Sequence, residues 1–161
     1  ELMKAQEAAR RRNFMGLACE QHRYDMLRRA AELEAFPCCI DQGIGVTLYS
    51  PLQRGLLGYD ILEPNRPLSY EATADLEKYA KLCHDLGESV ANVTLAWEMH
   101  HPAVTAPVIG PATLQDFEEM LRSVEIELTD DVLAEIDRIF PPPQSLFYNE
   151  RPDDVRPISW N

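Results

Sequence analysis

Short apolar runs alternate along this 161-residue chain with longer amphipathic stretches. That alternation predicts an α/β fold with a parallel sheet. Only three of the runs read as strands, against five or six helical segments, and three parallel strands neither close a barrel nor cover both of their faces. The length agrees, because a whole (β/α)8 barrel takes ~250 residues. The expectation is a portion of a TIM barrel and not a compact three-stranded domain.

The elements follow in order. The chain opens on Glu1 in a helical pattern, with Leu2, Ala5 and Ala9 on one face and Arg10, Arg11 and Arg12 near the end, where cations suit the helix dipole. No N-cap and no Met precede it, so the expectation is a chain that begins inside a larger protein, or one that was processed or built that way. Residues 14–20 are mostly apolar and read as a buried strand. Met26, Ala30 and Leu33 recur at helical spacing, Pro37 suits the first turn of a short helix, and Gly43 suits its stop. Residues 45–50 are β-branched and apolar and predict the second strand, whereas residues 57–68, with Gly58, Pro64, Asn65 and Pro67, read as a loop. A helix is expected from about Ser69, with Ala72, Leu76, Tyr79, Cys83 and Leu86 as its apolar stripe and Gly87 as its stop. Residues 89–100 form a further helix around Leu95, Trp97 and Met99, and residues 104–110 the third strand. Thr113 caps a helix that turns Leu114, Phe117 and Leu121 inward, and Thr129 starts a last helix carrying Val132, Leu133, Ile136 and Ile139. Residues 141–161 are Pro-rich and without period. The division is residues 1–143 as the barrel portion and 144–161 as a tail whose Phe147, Tyr148 and Trp160 either cover the active face or hang loosely.

Composition removes several classes. With 15 basic and 27 acidic residues, nucleic acid is not an expected partner, since phosphate binding needs local positive charge. No apolar run reaches the ~20 residues of a membrane span, and no signal peptide pattern is visible. Cys19, Cys38, Cys39 and Cys83 have no CxxC spacing and read as buried thiols in a reducing compartment, which suggests cytoplasm. His100 and His101 are adjacent and do not share a helix face, so no metal site is expected there; His22 and His84 read as isolated polar positions. Glu118 and Glu119 read as a solvated helix face. No Gly-x-Ser-x-Gly or Walker loop occurs, and Gly43-x-Gly45 precedes a strand, the wrong context for a dinucleotide fingerprint.

Two loops that follow strands carry chemistry. One is residues 49–57, Tyr-Ser-Pro-Leu-Gln-Arg-Gly-Leu-Leu, and the other residues 108–113, Val-Ile-Gly-Pro-Ala-Thr. In (β/α) barrels such loops build the active face, and glycines such as Gly55 and Gly110 let backbone approach a ligand. Ordinary βα turns would look the same in isolation.

Several motifs in order resemble the aldo-keto reductase family, in particular its bacterial and potassium-channel-β-like branch. Residues 18–25, ACEQHRYD, resemble the sixth-strand signature E-Q-x-x-Y-N/H. Residues 43–52, GIGVTLYSPL, look like the seventh-strand motif, and residues 95–97 with 102–111 like the last strand and its entry. Residues 128–141 resemble the closing helix, so the likeness covers about residues 1–143. The resemblance implies the C-terminal portion of the barrel, strands six to eight with their helices, and hydride transfer between NADP(H) and a small carbonyl or alcohol. Catalytic Asp, Tyr, Lys and His would lie in the other half, so no catalytic residue is assigned here, and this chain alone is expected to be inactive. Carried over residue by residue, Gln21 would bond the nicotinamide carboxamide and Tyr49 would stack on the ring. Ser50, Pro51 and Leu52 would line the pyrophosphate, Arg54 would meet a phosphate, Gly55 and Gly110 would permit close approach, and Glu119 would contact the adenine side.

Departures from the family pattern bear on the cofactor. Leu57 runs straight into Gly58-Tyr59 where members often read L-T-G-K-Y, so that Lys is missing. Ala112 replaces a common Arg or Ser, Asp116 a usual Gln, and Met120 a usual Asn. Each charge-assisted bond contributes ~1.5–3 kcal/mol, so the combined change weakens NADP preference by roughly 100-fold or more. Two other readings fit the same residues. One is a catalytically silent barrel that senses nicotinamide cofactor or serves as an auxiliary subunit. The other is a half-barrel that folds only by pairing with an N-terminal half or with itself.

Overall fold

The computed structural model describes residues 1–58 and 74–143. Among them run α1 (Leu2–Arg11), β1 (Cys19–His22), α2 (Ala35–Gln42), β2 (Gly45–Tyr49), α3 (Ala74–Asp85), α4 (Val90–His100), β3 (Val104–Val108), α5 (Leu114–Leu121) and α6 (Asp130–Ile139). Short 3-10 turns lie at Ala30–Leu33, Gln53–Gly55 and Arg122–Glu125. The strands make one parallel sheet in the order β1-β2-β3, with an irregularity in the β2–β3 register between Val46 and Thr47. A parallel pair requires a crossover. The first contains α2, and the second contains α3 and α4.

Side chains alternate across a strand, so the two sheet faces have different fates. Val46 and Leu48 point to the helices and are fully buried with Phe36 and Cys39 of α2 and Val93 and Trp97 of α4. Burial of each such aliphatic side chain stabilises the fold by ~1.5–3 kcal/mol. The opposite face is open, with Cys19, Gln21, Tyr49, Ala106 and Val108 exposed. A parallel sheet covered on one face only is what a partial barrel presents.

The ends of the helices follow their sequence signals. Ser89 Oγ accepts the Asn92 N–H at 3.2 Å, Thr129 Oγ1 accepts the Val132 N–H at 3.4 Å, and Gly43 ends α2 at φ 66°. Gly87, at φ 73°, follows the end of α3, and Leu76, Tyr79 and Cys83 are buried as its stripe requires.

Other expectations are corrected. The strand expected over residues 14–20 begins only at Cys19 and is not buried; Phe14, Met15 and Leu17 are exposed. Gln6, buried on α1, explains the delay: its Oε1 accepts the Leu17 N–H at 2.6 Å and ties this segment to the helix before it can pair as a strand. Residues 26–33 are not one helix. Asp25 Oδ1 accepts the Leu27 N–H at 2.9 Å and the Asp25 carbonyl accepts the Arg28 N–H at 2.8 Å, so a local turn displaces the helical ladder. Leu114, Phe117 and Leu121 do not turn inward; no residue of α5 is buried. Their spacing identifies a face that needs cover without saying what covers it. Leu86 and Cys19 are also exposed. The expected helix start at Ser69 with Ala72, most of the loop at 57–68, and the tail at 144–161 with Phe147, Tyr148 and Trp160 lie outside the described residues.

Candidate functional site

The carboxyl ends of the strands bring several expected residues together. Gln21 is the register partner of Thr47, and Tyr49 lies two positions further along β2 on the same open face. Tyr49 is 44% exposed, an unusual state for an aromatic ring on a parallel strand. Its own partner on β3 is Val108, so Gly110 follows two residues past that pairing.

The loop after β2 turns tightly beside Tyr49. Ser50, Gln53 and Arg54 all have positive φ, at 53°, 49° and 55°, and Gly55 follows at 94°. Three non-glycine residues in that region each carry a strain of about 1–2 kcal/mol. Hydrogen bonds hold them there. The Ser50 carbonyl accepts the Gln53 N–H at 3.0 Å, and the Leu52 carbonyl accepts those of Gly55 at 2.8 Å and Leu57 at 3.2 Å. Pro51 is buried, Leu52 half-buried, and Arg54 exposed. Strained, over-determined loops of this kind cluster where ligands are clamped.

Sequence reasoning missed the brace beneath this loop. Gln53 is buried and its Oε1 accepts from Arg23 Nη2 at 2.9 Å, which ties the loop after β2 to the segment after β1. From the other side, Thr94 Oγ1 lies 2.7 Å from the Val90 carbonyl and 3.3 Å from the Leu57 carbonyl. Long-range partners of a Gln and a Thr leave no signal in spacing.

The third cluster is at the start of α5. Thr113 Oγ1 accepts the Asp116 N–H at 3.1 Å while Asp116 Oδ2 accepts the Thr113 N–H at 2.9 Å, a reciprocal capping box. Asp116 is thus structurally employed, and it places a carboxylate where a helix N-terminus would otherwise attract an anion. Ala112 beside it is exposed. Glu119 is exposed on α5 and accepts from Gln115 Nε2 at 2.8 Å. Glu118 is exposed as well.

His101 is half-buried against Tyr24 and Phe36, its Nδ1 accepts the Ala103 N–H at 3.1 Å, and burial lowers its pKa. His22 lies 3.6 Å from Glu20. Burial raises the pKa of the Cys39 thiol. A cleft of about 400 Å³ lined by Ala96, Met99, His100, Ile126 and Leu128, among others, holds none of the expected site residues. No helix among the described residues is long and apolar enough to cross a membrane.

A three-stranded parallel sheet with helices on one face, crossovers between its strands and a tightly turned loop after β2 is consistent with part of a (β/α) barrel. The chain belongs to the aldo/keto reductase family, whose model matches residues 1–140. It is 44% identical over 150 residues to the uncharacterised oxidoreductase YrpG of Bacillus subtilis, covering 88% of this chain and 46% of that protein. It is 26% identical over 158 residues to the versiconal hemiacetal acetate reductase of Aspergillus parasiticus, covering 88% of this chain and 46% of that protein. It is 28% identical over 123 residues to the NADH-specific methylglyoxal reductase of Escherichia coli, covering 68% of this chain and 38% of that protein. The chain therefore spans about half the length, or less, of these relatives.

Proposed function

We propose that this chain is the C-terminal, cofactor-binding portion of an aldo-keto reductase barrel, strands six to eight with their helices, and takes part in hydride transfer between a nicotinamide cofactor and a small carbonyl or alcohol. The observation that carries the reading is the placement of Gln21 and Tyr49 on one open sheet face beside the strained loop at residues 50–58. Gln21 bonds the carboxamide of the nicotinamide and Tyr49 stacks on its ring, so that one face is left for transfer. Ser50, Pro51, Leu52 and Gly55 line the pyrophosphate, and Arg54 meets a phosphate. Gly110 admits the cofactor's other end, and Glu119 faces the adenine side. The alkoxide formed by hydride delivery needs a proton donor, which on this reading comes from strands of the other half-barrel.

The Asp116 carboxylate at the start of α5 disfavours a 2′-phosphate and supports NADH over NADPH. It also supports a second reading, a catalytically silent barrel that senses the cofactor. The open sheet face and the exposed Phe14, Met15 and Val108 support pairing with an N-terminal half-barrel or a second copy. The full chain and its Tyr49→Ala variant are titrated with NADH and NADPH by tryptophan quenching, alongside turnover of a small aldehyde. The reading expects saturable binding that Tyr49→Ala weakens at least tenfold, and no turnover by these 161 residues alone. Binding of neither cofactor, even after an N-terminal half is supplied, sinks the cofactor readings. A species that is monomeric in ultracentrifugation and melts cooperatively in calorimetry counts strongly against the pairing reading.

A further inference from the structure

Two carboxyl groups are buried where α4 meets the segment after β1. Asp25 and Glu98 are both 0% exposed. Glu98 has no hydrogen-bond partner for either carboxyl oxygen among the described residues, and Asp25 Oδ2 has none either. Their neighbours are locked together, because Tyr24 stacks on Trp97 with ring centroids 5.3 Å apart and planes 10° from parallel. An ionised carboxylate without a partner is costly in such a place, and the charge of Asp25 adds to that cost at Glu98.

The surroundings supply little compensation. Asp25 Oδ1 accepts the Leu27 N–H, Arg28 approaches Asp25 Oδ2 at 4.0 Å, and Arg23 also faces it, with Nη2 on Gln53 and a buried Nε that has no hydrogen-bond partner, so the compensation falls on Asp25 and not on Glu98. Tyr24, from the same segment, and Tyr79, from α3, face Glu98 as neutral phenols whose pKa values burial raises. The Tyr24 hydroxyl donates to Glu32 at 2.6 Å, and the Tyr79 hydroxyl lies 3.0 Å from Thr94 Oγ1. His101, at the C-cap of α4, meets Tyr24 edge-on with ring centroids 5.9 Å apart, and burial lowers its pKa.

We propose that Asp25 and Glu98 form a proton-linked latch in which Glu98 is folded in as the neutral acid, and that loss of its proton loosens α4 from the segment after β1 and from the loop at residues 50–58. The route to the loop is short. Asp25 is two residues from Arg23, which holds Gln53, and Glu98 is one helical turn from Thr94, which meets the Leu57 carbonyl. Burial, and then the charge of Asp25, push Glu98 up to about 9, while burial pushes Asp25 up to about 6. Glu98 is raised above its ordinary value of 4.5, so its contribution to stability is complete below that value and is lost as pH rises toward about 9. Between about pH 7 and 8 Glu98 holds close to one proton in the folded state that it lacks in the unfolded, and the excess falls away toward pH 9.

The test is urea unfolding of the full chain at several pH values between 6 and 9. The unfolding constant of the native protein is expected to rise about tenfold per pH unit between about pH 7 and 8 and less steeply toward pH 9. It should be nearly flat in Glu98→Gln, and should level off at a lower pH in Asp25→Asn. Amide exchange at residues 52–57 at pH 9 should be faster in the native protein than in Glu98→Gln. Isotope-edited infrared spectroscopy of the native chain at pH 7 should show the protonated carboxyl stretch of Glu98, a readout that needs no variant to fold. The same pH slope in native and Glu98→Gln proteins, or an ionised Glu98 at pH 7, overturns the proposal. None of these readouts involves a cofactor, so they stand apart from the proposed function.

Discussion

Arg29 Nη1 donates to Asp137 Oδ1 at 2.6 Å, joining the segment after β1 to α6 across 108 positions of chain. The same nitrogen donates to the Phe140 carbonyl at 2.9 Å, beyond the last turn of α6. Arg29 Nε donates to Glu32 Oε1 at 2.8 Å, which also accepts from the Tyr24 hydroxyl, and the guanidinium sits 5.1 Å from the centre of the Trp97 ring. With its side chain only 10% exposed, Arg29 knits two segments that the sheet does not connect.

Arg29→Ala should therefore cost far more than a surface ion pair. It strands Glu32 beside Tyr24 and leaves the end of α6 unheld, and losses from broken buried pairs run to ~3–5 kcal/mol. Denaturant titration of the native and variant chains measures it. A loss under ~1 kcal/mol would place the cluster among solvent-screened pairs.

Gly16 is the second sensitive point. It sits at φ 84°, and a Cβ there would lie 2.3 Å from Gln6 Oε1. That oxygen is the acceptor for the Leu17 N–H, so it cannot move without breaking the tie between α1 and the approach to β1. Gly16→Ala should cost ~1–3 kcal/mol through combined backbone strain and crowding. Gly43→Ala, with nothing within 4 Å of its Cβ, carries the backbone strain alone and should cost less. Equal losses in the two variants' urea midpoints would remove Gln6 from the account.

The contrast between these residues explains how much was legible in the sequence. Helix starts at Ser89, Thr113 and Thr129 and the stop at Gly43 are local, because a cap needs only its own neighbours. β2 and β3 were legible as apolar runs bounded by breakers. Which face of the sheet stays open was not, since Cys19 and Thr47 read as ordinary strand residues until the missing cover is seen. Family motifs singled out Gln21 and Tyr49, but not the Arg23–Gln53 brace or the positive φ of Gln53, which depend on residues 30 positions apart. Glu98 did leave a trace, an acid between Trp97 and Met99 in an apolar helix.

Arg54 separates strain from binding. At φ 55° and exposed, it holds its backbone at a cost that glycine would not bear. Arg54→Gly should stabilise the chain by up to ~1 kcal/mol while weakening nicotinamide dinucleotide binding. Arg54→Ala removes the same charge but keeps the strain, so it should weaken binding equally without the gain. Melting and quench titrations on both variants read the two effects apart. Unchanged binding in both would take Arg54 out of the proposed phosphate contacts.

Asp116 poses the sharpest question about cofactor choice. Its carboxylate closes the capping box with Thr113, so the charge and the cap must be removed separately. Asp116→Asn keeps an oxygen for the Thr113 N–H and should leave stability within ~0.5 kcal/mol. Asp116→Ala loses that acceptor and should cost ~0.5–2 kcal/mol. If the carboxylate opposes a 2′-phosphate, both variants should improve NADPH binding relative to NADH by several-fold, about 1 kcal/mol of relieved repulsion at a partly exposed site. The shift should shrink as salt rises, because screening shortens the reach of the charge. A ratio of the two dissociation constants that stays put in Asp116→Asn, at low salt, would mean that Asp116 serves the helix alone and takes no part in cofactor choice.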